Sequence, residues 1–260
     1  MLINREKVTK VFNNYVGEYN QDDPRIMLKF EHTYRVAKLC EQIAKSLNFT
    51  KEDIELAWLI GMLHDIGRFE QLKNYGTFND SQSINHAHYG VEILFEEGQI
   101  RKFIENNDYD GLIRDSIEYH NVYILPNNLD ERTKVFCDLI RDADKIDILK
   151  VNVDIPLQTI YEFNEEQLKQ SIVTEEVMES YFKHQAVSHK LKKSPIDHVV
   201  GHLSLVFELV FPISIKIVHE QGYLYQMFGF RSENETAKKQ LLLLRKDMQD
   251  YIETKISFGV

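Results

Sequence analysis

Apolar positions recur three and four apart along most of the chain, the period of an amphipathic helix. Between Met27 and Leu47 the stripe is Val36, Leu39, Cys40, Ile43 and Leu47. Asn48 is a stop signal, and Thr50 with Asp53 three residues later is a capping pair that predicts a new start. The next helix is predicted from Glu52 to about Ile66, through Ile54, Ala57, Trp58, Gly61 and Met62. Gly67 is expected to end it in the left-handed conformation open to glycine. Residues 68–83, rich in Gly, Asn, Asp and Ser, predict a long loop. Loops of that length are usually functional or disordered. Further helices are predicted over Ser83–Glu97, Ile100–Asn106, Leu112–Asn121, Glu131–Val151, Glu165–Lys183, Asp197–Phe211, Ile213–Gln221 and Thr236–Ile256. Strand-like alternation is essentially absent. The chain reads as all-α, with one domain over residues 1–155 and a C-terminal helical extension over 156–260 that packs on it.

Composition narrows the class. The 260 residues carry 31 Lys+Arg and 41 Asp+Glu, a net charge of −10, with 43% hydrophobic and 28% charged residues. These are values of an ordinary globular protein, and the length allows a sizeable core. The acid excess argues against a nucleic-acid polymer or an anionic membrane as partner. The most apolar stretch, 203–218, is broken by Ser204, Glu208, Pro212 and Lys216, so no membrane span is expected. The first residues lack a signal-peptide pattern. Cys40 and Cys137 are too few for a disulfide framework or thiolate metal site, and read as free thiols of a cytoplasmic protein.

The ten histidines divide into two groups of five. His32, His64, His86, His88 and His120 precede residue 121; His184, His189, His198, His202 and His219 follow residue 183. His32 shares a stripe with Val36 and Ile43, and His120 shares one with Ile113 and Ile117, so both point inward. Asp144 sits four residues from Ile140 and from Ile148. Inward ionisable groups are costly unless paired or bound to a metal. One such histidine is ordinary; several, with aspartates, call for a common partner. A divalent metal satisfies imidazole and carboxylate alike. The five later histidines lack this spacing and read as surface or packing residues.

The ordered series His32, His64-Asp65, His86, His120 and Asp144 resembles the HD-domain superfamily of metal-dependent phosphohydrolases. The local phrases match too: Glu31-His-Thr-Tyr-Arg-Val-Ala37, Leu63-His-Asp-Ile-Gly-Arg68, His86-Ala-His-Tyr-Gly-Val-Glu-Ile-Leu94 and Asp142-Ala-Asp-Lys-Ile-Asp147. The resemblance covers about residues 25–155 and implies a helical bundle with a metal site in its core. It implies that His32, His64, Asp65 and Asp144 hold one divalent ion. It further implies that His86 and His120 hold a second, with Asp65 between the two. The ions expected are drawn from Mn, Fe, Ni, Co, Zn and Mg. His86 and His88 compete for one position, and His86, four residues before Gly90, is preferred. Asp142 and Asp147 compete with Asp144; Asp147 is read as an acceptor for a ligand histidine and Asp142 as a solvated charge.

The chemistry implied is hydrolysis of a phosphate mono- or diester, with a nucleotide-like substrate, by metal-activated water. Asp65 and Arg68 are the expected catalytic residues. Arg68 can grip phosphate through two hydrogen bonds, and Arg35, Lys145, Lys73 and Tyr75 are further candidates for the substrate pocket. Phe78 and Asn79 share that loop. Two other readings stay open: a diiron oxygenase built on the same six ligands, and a metal-bound regulatory module without turnover. The Gly-Tyr-Pro element of the family's cyclic-di-GMP phosphodiesterases is absent, which disfavours that branch. In the extension, Leu203, Val206, Leu209 and Val210 make a stripe, and Tyr223, Tyr225, Phe228 and Phe230 an aromatic cluster. Packing on the bundle is expected there, with homodimer contacts or a lid as the other readings.

Overall fold

The computed structural model describes residues 3–155 and 163–258. The chain divides into two compact units, Met1–Ala143 and Asp144–Val260. The expected start of the extension, at residue 156, lies outside the described residues. Among the described residues every regular element is helical, as the periodicity predicts. None of their helices is long and apolar enough to cross a membrane.

The first unit opens with α1 (Arg5–Gly17), which the sequence reading did not identify. Val8, Phe12 and Val16, four apart, are its buried stripe. Next come α2 (Pro24–Ser46) and α3 (Lys51–Leu63). Asp23 and Thr50 cap their starts, each side chain accepting from a backbone N–H two or three residues on. The cap predicted at Thr50 is therefore present. Leu56 through Leu63 are all buried, so the C-terminal two turns of α3 are enclosed on every side. Burying each of its large apolar side chains contributes roughly 1.5–3 kcal/mol before chain entropy is counted.

The structure corrects the reading of residues 64–83. α3 ends at Leu63, His64, Asp65 and Ile66 form a turn, and α4 runs Gly67–Tyr75. Gly67 thus begins a helix rather than ending one. A β-carbon there would stand 2.3 Å from the His86 carbonyl oxygen and 2.6 Å from the Gly90 nitrogen. Close backbone approach, not a left-handed turn, requires this glycine. The left-handed cap belongs to Gly76, with φ 69°, at the end of α4. Phe69 and Leu72, three apart and buried, supply the apolar face that the polar composition obscured.

A short turn over Asp80–Gln82 leads to α5 (His86–Val91), which continues as a wider helical turn over Glu92–Glu96. The predicted start at Ser83 moves to His86 because the Asn85 side chain caps Ala87 and His88. Then follow α6 (Ile100–Phe103), α7 (Asp110–Glu118) and α8 (Glu131–Asp154), whose last part enters the second unit.

The second unit continues with α9 (Glu165–Gln170), α10 (Glu175–Phe182), α11 (Pro195–Leu203), α12 (Pro212–Gln221), α13 (Tyr223–Met227) and α14 (Glu235–Phe258). The single helix predicted over Glu165–Lys183 is two. The buried Asp197 carboxylate accepts from the Thr174 amide at 2.9 Å and its hydroxyl at 3.1 Å, which holds the chain out of helix. The helix predicted to Phe211 stops at Leu203, and a tighter turn follows over Ser204–Glu208. That change of pitch leaves Val210 52% exposed, off the stripe, while Leu203, Val206 and Leu209 stay buried.

Candidate metal centre

Four elements of the first unit aim histidines at one carboxylate. His32 comes from the middle of α2, His64 and Asp65 from the turn after α3, His86 from the first residue of α5, and His120 from just beyond α7. All five side chains are buried. Adjacent helical residues point about 100° apart. The end of α3 is what lets His64 and Asp65 converge.

The two oxygens of Asp65 face different neighbours. Oδ2 lies 3.6 Å from His32 Nε2 and 3.6 Å from His64 Nε2. Oδ1 lies 3.4 Å from His86 Nε2 and 3.7 Å from His120 Nε2. Two cations join them: Lys29 Nζ sits 2.7 Å from Oδ2, and Arg68 Nε 3.6 Å from Oδ1. Burial opposes ionisation of Asp65, but the Lys29 ammonium beside it leads the opposing charges that hold the carboxyl well below its usual range.

Outer hydrogen bonds fix which ring nitrogen carries the proton. His64 Nδ1 donates to the Gly61 carbonyl at 2.8 Å, and His120 Nδ1 to the Ile117 carbonyl at 2.7 Å. His86 Nδ1 donates to Asp80 Oδ2 at 2.6 Å. A carbonyl or carboxylate can only accept, so each neutral ring turns an Nε2 lone pair inward. His86 and His120 then place two lone pairs 3.0 Å apart. That is unfavourable unless a cation lies between them, and it suits two ligands on one ion with bonds of about 2.0–2.1 Å. Burial and the Arg68 guanidinium push His86 down to about 3, which opposes a proton in that role. The donor set therefore fits a metal. His64, Asp65 and His120 each offer one donor atom within 4.8 Å of the others.

The remaining predicted residues lie as follows. His88 is exposed and pairs with Glu118 at 3.1 Å, whereas His86 faces Asp65. Asp142, expected to be solvated, is fully buried: it lies on the inner face of α8 beside Ala143. Asp147 is buried as well. Asp144, at the start of the second unit, is half-buried on the continuing helix. Lys145 pairs with Glu208 at 3.1 Å, and Arg35 lies 3.5 Å from Glu31. Lys73 bonds Glu70 at 3.0 Å, and Tyr75 is 51% exposed at the end of α4. Neither is brought to the Asp65 cluster. Phe78 is: Lys29 and Arg68 lie 5.6 and 5.7 Å from its ring centre.

Sequence reasoning passed over Lys29, Asp80 and Gln71. Lys29 stands three residues before His32 on α2, a helical spacing that placed it on the same face. Asp80 and Gln71 carried no local signal, because their partners come from elsewhere in the chain.

The family model for the HD domain matches residues 30–152. The chain carries an HD domain. HD domains bind divalent metals, and the matched residues 30–152 include the buried histidines around Asp65. One curated relative is "3'3'-cGAMP-specific phosphodiesterase 1" of Vibrio cholerae serotype O1, 26% identical over 98 residues, 34% of this chain. The match spans 23% of that protein's length. No solved structure matches the chain.

Proposed function

We propose that the chain is a metal-dependent phosphohydrolase whose Asp65 bridges two divalent ions. One ion is assigned to His32 and His64, the other to His86 and His120. The observation that carries this reading is the division of the Asp65 oxygens between two pairs of imidazole nitrogens, at 3.4–3.7 Å. The HD domain and the phosphodiesterase relative support phosphohydrolase chemistry in general.

Bound divalent ions lower the pKa of a water and offset charge on phosphoryl oxygens. The protein's own part is positioning. Asp65, kept ionised in a buried place, supplies the negative charge that draws the ions in. Burial of the four histidines excludes bulk water and strengthens each electrostatic contact. Arg68 and Lys29 flank the carboxylate and complement the substrate's phosphate, the guanidinium through more than one hydrogen bond. Phe78, between these cations, presents an aromatic face for a nucleobase.

The test is metal analysis of the purified protein, then phosphate release with Mn²⁺. The panel holds p-nitrophenyl phosphate, its bis ester, mononucleotides and 3'3'-cGAMP. The expected result is two equivalents of metal and turnover of at least one ester. Turnover of monoesters alone, or of diesters alone, decides between phosphatase and phosphodiesterase. Iron-dependent oxygen consumption without phosphate release would sink the hydrolase reading.

A further inference from the structure

We propose that Asp80 is a positioning residue that sets the tautomer of His86 and the orientation of Arg68 together, which aims an imidazole lone pair and a guanidinium edge at the same Asp65 oxygen. The functional consequence rests on the phosphohydrolase reading; the geometry does not.

The carboxylate of Asp80 divides its work between its oxygens. Oδ2 accepts from His86 Nδ1 at 2.6 Å and from Asn121 Nδ2 at 3.3 Å. Oδ1 accepts from Arg68 Nη1 at 2.8 Å and from Gln71 Nε2 at 2.9 Å. Burial raises the Asp80 carboxyl, but the hydrogen bond from His86 and the Arg68 charge outweigh it and hold it down at about 2. Its own segment is held in turn. Gln71, fully buried, also donates to Ser83 Oγ and to the Ile84 carbonyl, both at 2.9 Å.

Arg68 is held by one edge only. Its Nη1 meets Gln71 Oε1 at 2.9 Å and the Phe78 carbonyl at 2.6 Å besides Asp80. Its Nε is buried without a hydrogen-bond partner, 3.6 Å from Asp65 Oδ1. A buried unsatisfied donor is costly. This one is oriented toward the oxygen that His86 Nε2 faces at 3.4 Å. An anchored guanidinium with one edge spare is prepared for an acceptor that arrives with the substrate.

A carboxylate can accept on both oxygens; an amide cannot. In Asp80→Asn the single oxygen stays with the charged Arg68 and Gln71, and the NH₂ turns to His86. An N–H cannot accept from Nδ1–H, so the His86 proton moves to Nε2, into the site. In Asp80→Ala no group replaces either oxygen. Long-range ¹H–¹⁵N NMR on metal-free protein reads the tautomer directly. Wild type is expected to show Nδ1–H, the Asn variant Nε2–H and the Ala variant a mixture. The Arg68 Nε–H resonance should stay exchange-protected in wild type and Asn and lose protection in Ala. Calorimetry with Zn²⁺ should then show one of two sites weakened about 10–100-fold, more in Asn than in Ala. That crossed order separates positioning from general loosening. Retention of Nδ1–H in Asp80→Asn, or equal loss of both readouts in the two variants, would overturn the proposal. A wild-type protein that binds no Zn²⁺ would defeat the phosphohydrolase reading, and the two NMR readouts would still decide the role of Asp80.

Discussion

The two groups of five histidines use their ring nitrogens in different ways. In the first unit three rings spend Nδ1 on an outer acceptor and turn Nε2 toward one shared carboxylate. In the second unit three histidines each pair with a different group. His202 Nδ1 meets Asn152 Oδ1 at 2.8 Å, His219 Nδ1 meets the Tyr225 hydroxyl at 2.7 Å, and His184 meets Asp247 at 3.1 Å. His202 is only part-buried, yet it is pushed down to about 3 as the buried His86 is. A shifted pKa therefore does not distinguish a metal site from a packed side chain. Convergence of lone pairs on one carboxylate does.

The sharpest way to break the contrast is Asp65→Ala. It removes the carboxylate that both imidazole pairs face, so metal content and phosphate release should fall together. The loss should exceed the about 10–100-fold that an outer partner costs. Metal analysis and a phosphate assay check it; metal retained at wild-type stoichiometry would dissolve the distinction between the two groups. His202→Asn, the matched control, should leave metal content unchanged.

Gly67→Ala tests whether backbone approach holds the first group together. The added methyl would meet the His86 carbonyl oxygen at 2.3 Å and the Gly90 nitrogen at 2.6 Å, both backbone atoms with little room to yield. Overpacking of this kind costs about 1–3 kcal/mol or more. Thermal melts should show that loss, and metal affinity should fall with it because α5 carries His86. An unchanged melting temperature would mean that α4 and α5 can separate freely.

How far the site was legible follows from how each residue is specified. His32, His64, His86 and His120 lie on or beside helical stripes, so local period and order were enough. Asp65 was legible as half of a dipeptide at a helix end. Asp80 and Lys29 were not, because their roles exist only after α2, α4 and α5 have packed. Asp142 was misread for a related reason. A charge among apolar neighbours reads as solvated until the helix is seen to be enclosed. The same limit explains α4: Gly, Asn and Asp outweighed the Phe69–Leu72 pair until Gly67 was seen to be needed for contact.

The pH dependence of stability sharpens the comparison from the other side. His202 falls from 6.5 to about 3 through burial, with Lys192 and His198 adding to it. The unfolded chain therefore takes up a proton near pH 6.5 that the folded chain refuses until about pH 3. Stability from this group is complete above the unfolded value and is lost as pH falls toward the folded one, by about 2 kcal/mol at pH 5. Denaturant melts at pH 7 and pH 5 measure it, and His202→Asn should reduce the difference by about 2 kcal/mol, leaving the part that His86 contributes. An unchanged difference would assign the effect to other groups.

His88→Ala should have the smallest effect, and its smallness is the point. His88 is two residues from His86, and sequence alone left both as candidates. Its side chain is 55% exposed and pairs with Glu118 at 3.1 Å. An exposed pair contributes about 0–1 kcal/mol, so stability should barely move. Metal content and turnover should equal wild type, while His86→Ala should lose the ion shared with His120. If His88→Ala lost metal instead, α5 would have to turn so that His88 faced inward. Gly90 would then move away from Gly67, and the close approach that requires that glycine would disappear. The exposed histidine and the buried glycine thus test one helix rotation from opposite faces.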